Sequence, residues 1–210
     1  MEAALNTERR SEPDRKLDSE KARRIVAAMA ATVARNGVAG ATFDTVAQEA
    51  GVSRGLLHYY FGSKERLLVE VCRRDCDMRI AALEKQLEGA RSPQEVVDGL
   101  MSQLREFLGG DPVAQALLYE MLSVSRRSDE VRSELAELYR RWRAAVADAL
   151  REKERAGLIE PRGEPEAIAS MLFALGDGVI IQMLADPDWD SAATLEMGQR
   201  TARFLLGGEL

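Results

Sequence analysis

The chain has 210 residues and a formal net charge of −6, long enough for one large domain, or a small one joined to a larger one, with a core that needs no staples. Two Cys and a polar, charged N-terminus predict a reducing, cytoplasmic setting with no secretory signal. The negative charge weighs against nucleic acid as a partner, but it is unevenly spread. Residues 1–75 hold 13 Lys or Arg against 11 Asp or Glu, and residues 76–210 hold 16 against 24. An acidic chain with one mildly basic end suits a protein that touches DNA through that end.

Residues 1–18 read as a flexible polar tail in which Arg9, Arg10, Arg15 and Lys16 solubilise the chain or reach phosphates. A first helix is predicted from Ser19 to Asn36, with Ile25, Ala28, Met29, Thr32 and Val33 as its stripe and Gly37 as its stop. Thr42 then caps a second helix, and Asp44 puts negative charge in its first turn. Phe43, Val46, Ala47 and Ala50 share its buried face. Gly51 ends it, and Ser53 caps a short third helix anchored by Leu57 and either Tyr60 or Phe61. Arg54, Gly55, His58 and Tyr59 are left outside. Ser63 caps the next helix, which carries Leu67, Leu68 and Val71. Two helices joined by a tight Gly turn form the helix-turn-helix pattern, whose second helix enters the major groove. The plain alternative is an ordinary helical hairpin.

The run Thr45-Val46-Ala47-Gln48-Glu49-Ala50-Gly51-Val52-Ser53, continuing Arg54-Gly55-Leu56-Leu57-His58-Tyr59-Tyr60-Phe61-Gly62-Ser63-Lys64-Glu65, resembles the DNA-binding signature of the TetR family of bacterial transcriptional regulators. The resemblance is long and ungapped. It implies DNA contacts from Thr42, Ser53, Arg54, Gly55, Leu56, His58, Tyr59, Tyr60 and Lys64, with Arg23 and Arg24 of the first helix near the DNA backbone. His58 departs from the pattern, which carries there a Tyr that touches phosphate. A neutral His still donates one hydrogen bond, and a protonated one adds charge.

Further along, a long helix from Ser63 to about Leu87 bridges to the body. Ser92-Pro93-Gln94-Glu95 is a helix start with Ser at the cap and Pro first. Residues 112–125 form a further helix. Residues 129–155 read as one long helix with Val131, Leu135, Leu138, Trp142, Ala145, Ala149 and Glu152 in line, apolar until its last turn. Two more follow, about 165–185 and 190–206. No strand-like alternation persists, so the fold is all-α with about nine helices. The expected organisation is a tail at 1–18, a helix-turn-helix domain at 19–66 and a ligand-binding and dimerisation domain at 67–210.

The 165–185 helix is apolar around most of its girth and needs cover on most sides. A partner subunit is a natural cover. Phe173, Asp177, Ile180, Ile181, Leu184, Leu195 and Phe204 are the expected dimer-interface residues. Asp177 interrupts the apolar surface and needs a partner, within the fold or in a ligand. No segment approaches the apolar length of a membrane helix, because this strongest candidate holds Asp177 and two Gly. Candidate effector-lining residues are Met101, Phe107, Tyr119, Met121, Leu122, Trp142, Met171, Phe173 and Asp177, each of which is also ordinary core material. The family resemblance implies a homodimer on a palindromic operator of double-stranded DNA, most often a repressor, released by a small apolar or amphipathic effector.

Enzymatic motifs are absent. Cys72 and Cys76 share a helix face, but two thiols make a poor zinc site, so no metal and no cofactor are expected. The competing reading is a helical protein-interaction or ligand-carrier module without operator binding.

Overall fold

The computed structural model describes residues 19–208 apart from Asp111, and the side chains of residues 107–114 and 116 are outside that description. The 1–18 tail, with Arg9, Arg10, Arg15 and Lys16, and the side chain of the candidate Phe107 therefore lie outside the described residues. Among those described, the chain is all-α, with nine helices in two compact units.

The first unit runs to Cys72 and also takes in Ala116–Arg132, an insertion that boundaries drawn in chain order did not anticipate. Helix α1 (Glu20–Gly40) is capped by Ser19, whose Oγ accepts from Ala22 N at 3.2 Å. It buries Ala22, Ile25, Val26, Ala28, Met29, Thr32 and Val33, a stripe at helical spacing. The buried Thr32 hydroxyl donates to the Ala28 carbonyl at 2.7 Å, so it costs little. Gly37, at φ +67°, breaks the helix where the sequence reading stops it, and a last turn reaches Gly40. Helix α2 (Phe43–Ala50) starts from a box in which Thr42 and Thr45 cap each other's backbone N–H groups. It packs on α1 and buries Phe43, Val46, Ala47 and Ala50. Gly51 follows in the left-handed region at φ +62°, which a side chain with a Cβ would resist. Helix α3 (Arg54–Phe61) is capped by Ser53 Oγ, which accepts from Leu56 N at 3.3 Å. Leu57 and Phe61, not Tyr60, anchor it. Helix α4 (Lys64–Glu88) opens with Ser63 Oγ accepting from Arg66 N.

The second unit comprises Arg73–Gln115 and Ser133–Leu210. Its helices are the rest of α4, α5 (Pro93–Gly110), most of α7 (Asp129–Arg155), α8 (Pro165–Ala185) and α9 (Ala192–Leu205), while α6 (Pro112–Ser125) falls mainly in the first unit. Its core joins Leu83 and Leu87 of α4, Val96, Val97 and Met101 of α5, Val146 and Leu150 of α7, Ile168 of α8 and Leu206. Helix α9 packs against α5 and α8. Ion pairs join α4 to α7, Arg73 to Glu134 and Asp77 to Arg141.

Two expectations are corrected. The line of α7 shifts after Trp142: Ala145 and Ala149 are half-buried, Ala149 against the core, but neither is fully buried. Full burial moves to Val146, Leu150 and Lys153, and Glu152 is exposed. Lys153 lies in the apolar line with its aliphatic stem buried, and its Nζ reaches Glu152 at 3.3 Å. Secondly, α8, of 21 residues, is long and apolar enough to cross a membrane, its most apolar 18-residue stretch having a mean hydropathy of 1.8. One Asp and two Gly lower that mean too little to make the stretch polar.

Candidate nucleic-acid interface

The outer edge of the first unit is built around the start of α3. Its first-turn N–H groups have no partner within the helix, so the N-terminus favours an anion. Ser53, Arg54 and Gly55 are all exposed there. A Cβ added to Gly55 would meet only Ser53 Oγ, at 4.0 Å. Nothing in the protein needs a glycine at that point, and glycine costs a helix about 1 kcal/mol relative to alanine. Its absent side chain suits the close approach of something from outside.

Arg54 donates from Nη1 to Asp44 Oδ2 at 3.0 Å, and both side chains are largely exposed. The guanidinium is held over the start of α2 yet is free to exchange partners. Thr42 is exposed as a cap, and Leu56 is half-buried. Tyr59 is 61% exposed, and Tyr60 packs edge-on against it at 5.3 Å between ring centres.

His58 and Lys64 are engaged within the fold. His58 Nδ1 lies 3.2 Å from the Gly62 carbonyl oxygen, and its ring meets Phe43 edge to face at 4.7 Å. A carbonyl only accepts, so Nδ1 carries the proton and Nε2 is left for an outside partner. Lys64 Nζ donates to the Val38 carbonyl. Arg24 likewise donates to the Ala50 carbonyl at 2.6 Å, closing the end of α2. Arg23 is exposed.

The effector candidates separate. Met121 is fully buried, Tyr119 half-buried and Leu122 partly exposed, all in the first unit. In the second unit Met101 is core, with Trp142 and Phe173 packed against that core. Trp142, Phe173 and Asp177 come together with Tyr139, which sequence reasoning missed. Its signal was the three-residue spacing to Trp142, which puts both rings on one face of α7. Tyr139 Oη donates to Asp177 Oδ2 at 2.9 Å. Burial pushes the Asp177 carboxyl above its ordinary range, and the Tyr139 bond opposes the rise.

Met171 faces outward on α8 at 53% exposure, together with Leu175, Ile181 and Leu184, and Met197 of α9 is equally exposed. Of the interface candidates, Ile180 is buried inside the unit, Phe173 and Asp177 face α7, Leu195 and Phe204 are half-buried, and Ile181 and Leu184 are open.

The family description "BetI-type transcriptional repressor, C-terminal" matches residues 93–207, and "Bacterial regulatory proteins, tetR family" matches residues 25–71. The chain belongs to the TetR family. The HTH-type transcriptional regulator BetI of Rhizobium meliloti (strain 1021) is 31% identical over 173 residues, 80% of each chain. Two solved structures share the fold. FadR of Bacillus subtilis, in complex with stearoyl-CoA, superposes with a TM-score of 0.69 at 20% identity, covering 90% of this chain and 99% of its own. A regulator of Saccharomonospora viridis, in complex with choline, gives 0.68 at 22%, covering 87% and 93%. As a TetR-family regulator this chain is a DNA-binding, ligand-responsive repressor that works as a homodimer, not an enzyme.

Proposed function

We propose that the dimer reads a palindromic operator with two copies of α3 and leaves it when a small amphipathic effector occupies the second unit. The exposed N-terminus of α3, with a glycine that serves nothing inside the protein, is the observation that carries the DNA reading. Arg54 and Tyr59 are the contacts we assign to the groove. Thr42, Ser53, Tyr60 and Nε2 of His58 serve phosphates, and Lys64 positions the unit.

The uncovered face of α8 belongs, in this reading, to the twin subunit. Met171 and Leu175 lie one turn apart, as do Ile181 and Leu184, all four are exposed, and only 28% of the most apolar stretch of α8 is buried within one chain. Lipid would be a poor cover, because Asp177 sits mid-helix, and a carboxylate at a bilayer centre costs about 2.5–3.5 kcal/mol. The protein then stays off the membrane and acts in the cytoplasm, where its operator is. A symmetric pair sets two recognition helices one DNA turn apart, which makes the operator a palindrome.

Stearoyl-CoA and choline, the ligands of the two solved neighbours, have little chemistry in common. The effector must be sought in this chain's own residues. Fluorescence anisotropy on the duplex upstream of its own gene tests the core of the reading. Salt-sensitive, sequence-selective binding by a dimer is expected, and binding indifferent to sequence would sink it.

A further inference from the structure

His58 is the single histidine of the chain, exposed in the last turn of α3. Two contacts fix its ring. Phe43 meets it edge to face, and Nδ1 lies 3.2 Å from the Gly62 carbonyl oxygen. A carbonyl offers only lone pairs, so the proton of the neutral ring sits on Nδ1. The same choice leaves Nε2 with a bare lone pair. In the neutral state this nitrogen accepts a hydrogen bond and has none to give.

Phosphate oxygens also only accept. A neutral His58 beside a phosphate therefore sets lone pair against lone pair. A second proton reverses this. The imidazolium keeps its bond to Gly62, turns Nε2 into a donor and adds a positive charge. Two observations favour phosphate over a base amine as the partner. Phe43 opens α2 directly after the exposed cap Thr42, where the first-turn N–H groups favour an anion. His58 also stands at the far end of α3 from Arg54, whereas base edges are read by the N-terminal residues of a recognition helix.

The charged groups on the elements around the ring have other partners or face solvent. Asp44 of α2 holds Arg54 of α3 at 3.0 Å, and Glu49 of α2 holds Arg35 of α1. Residues 36–40, the end of α1, carry no charge. At the start of α4, Lys64 donates to Val38, Arg66 pairs with Glu130 at 2.6 Å, and Glu65 is exposed. A stabilising anion for the second proton must come from outside the chain.

We propose that His58 enters the DNA complex as an imidazolium, so that operator binding takes up protons and tightens as pH falls. The proposal rests on the reading of α3 as the DNA-binding helix and of His58 as a phosphate contact. The complex holds protons that the free protein does not, up to two per dimer, so acid favours the bound state. Imidazole changes charge near neutral pH, which makes operator occupancy responsive to acidity as well as to an effector.

Fluorescence anisotropy on the duplex upstream of its own gene, at fixed ionic strength, reads the linkage. Affinity should rise about tenfold or more from about pH 8 to about pH 6. His58→Gln places a neutral donor near Nε2 and should hold affinity within about twofold over that range. With one histidine in the chain, imidazole labelled at Cε1 gives one NMR signal. At about pH 7.5 that signal should move from the neutral to the imidazolium position when duplex is added. Affinity level with pH, a dependence that survives His58→Gln, or a ring that stays neutral on the duplex overturns the proposal. Affinity that falls with acid overturns it too, since Nε2 would then accept from a base amine. Should His58→Gln fail to fold, the signal of the wild-type ring still decides. Binding indifferent to sequence at every pH, with the ring charged on the duplex, overturns the operator reading alone.

Discussion

Lys64 Nζ donates to the Val38 carbonyl oxygen at 2.5 Å, joining two residues 26 apart in the chain. Gly37 has just broken α1, so the carbonyls at its end need donors. The first residue of α4 supplies one.

The bond predicts how Lys64→Met will fail. Losing a charge-assisted hydrogen bond costs about 1–3 kcal/mol, so thermal unfolding should shift down and operator affinity with it. The salt dependence of binding should barely change. A fall in the log–log salt slope by about 0.9 would instead show a direct phosphate contact.

Arg54 and Asp44 yield the opposite pair of effects. Arg54→Ala should weaken operator binding by about 1–3 kcal/mol, the worth of a good base contact. Asp44→Asn frees the arginine and removes a charge that phosphates repel. Binding to an unrelated duplex should tighten severalfold, while stability moves by no more than about 1 kcal/mol, as for other exposed ion pairs. Anisotropy on two duplexes and one melting curve check both.

The open face of α8 should be intolerant of charge. Ile181→Glu should sediment as a monomer at micromolar concentration with its helical circular dichroism intact. Operator affinity should drop about a hundredfold or more, because two linked contacts become one. A dimeric Ile181→Glu would place the interface elsewhere.

Burial pushes the Cys76 thiol up to about 11, while the Arg141 guanidinium nearby opposes the rise. The folded state thus favours the protonated thiol. Its contribution is whole below pH 9, the ordinary thiol value, and is lost as pH climbs toward 11. The melting temperature should fall across that window, and Cys76→Val should flatten the fall. Alkylation at pH 8 should spare Cys76 until the protein unfolds.

What was legible in the sequence is what local chemistry decides. Ser19, Thr42, Ser53, Ser63 and Ser92 each accept from an N–H three residues on, as their placement before a helix implies. Gly51 takes the turn because its neighbours could not. Distant partners were not legible. Nothing near Lys64 points to Val38, and nothing near Arg24 points to Ala50. The α7 stripe was extended past Trp142 on spacing alone, whereas burial there drifts by one residue, onto Val146, Leu150 and Lys153. On α8, apolar on nearly every side, the pattern held no information about which side met its own chain. Ile180 and Ile181 are adjacent and chemically alike, yet one is buried and the other open.

Gly55 sets two selection pressures against each other at a single codon. Alanine fits there without touching anything closer than 4.0 Å, and it would make α3 a better helix. A screen for heat resistance alone should therefore enrich Gly55→Ala. The survivors would be sturdier proteins with a methyl group where, in the proposed reading, DNA comes closest, a trade between robustness and activity written into one missing carbon.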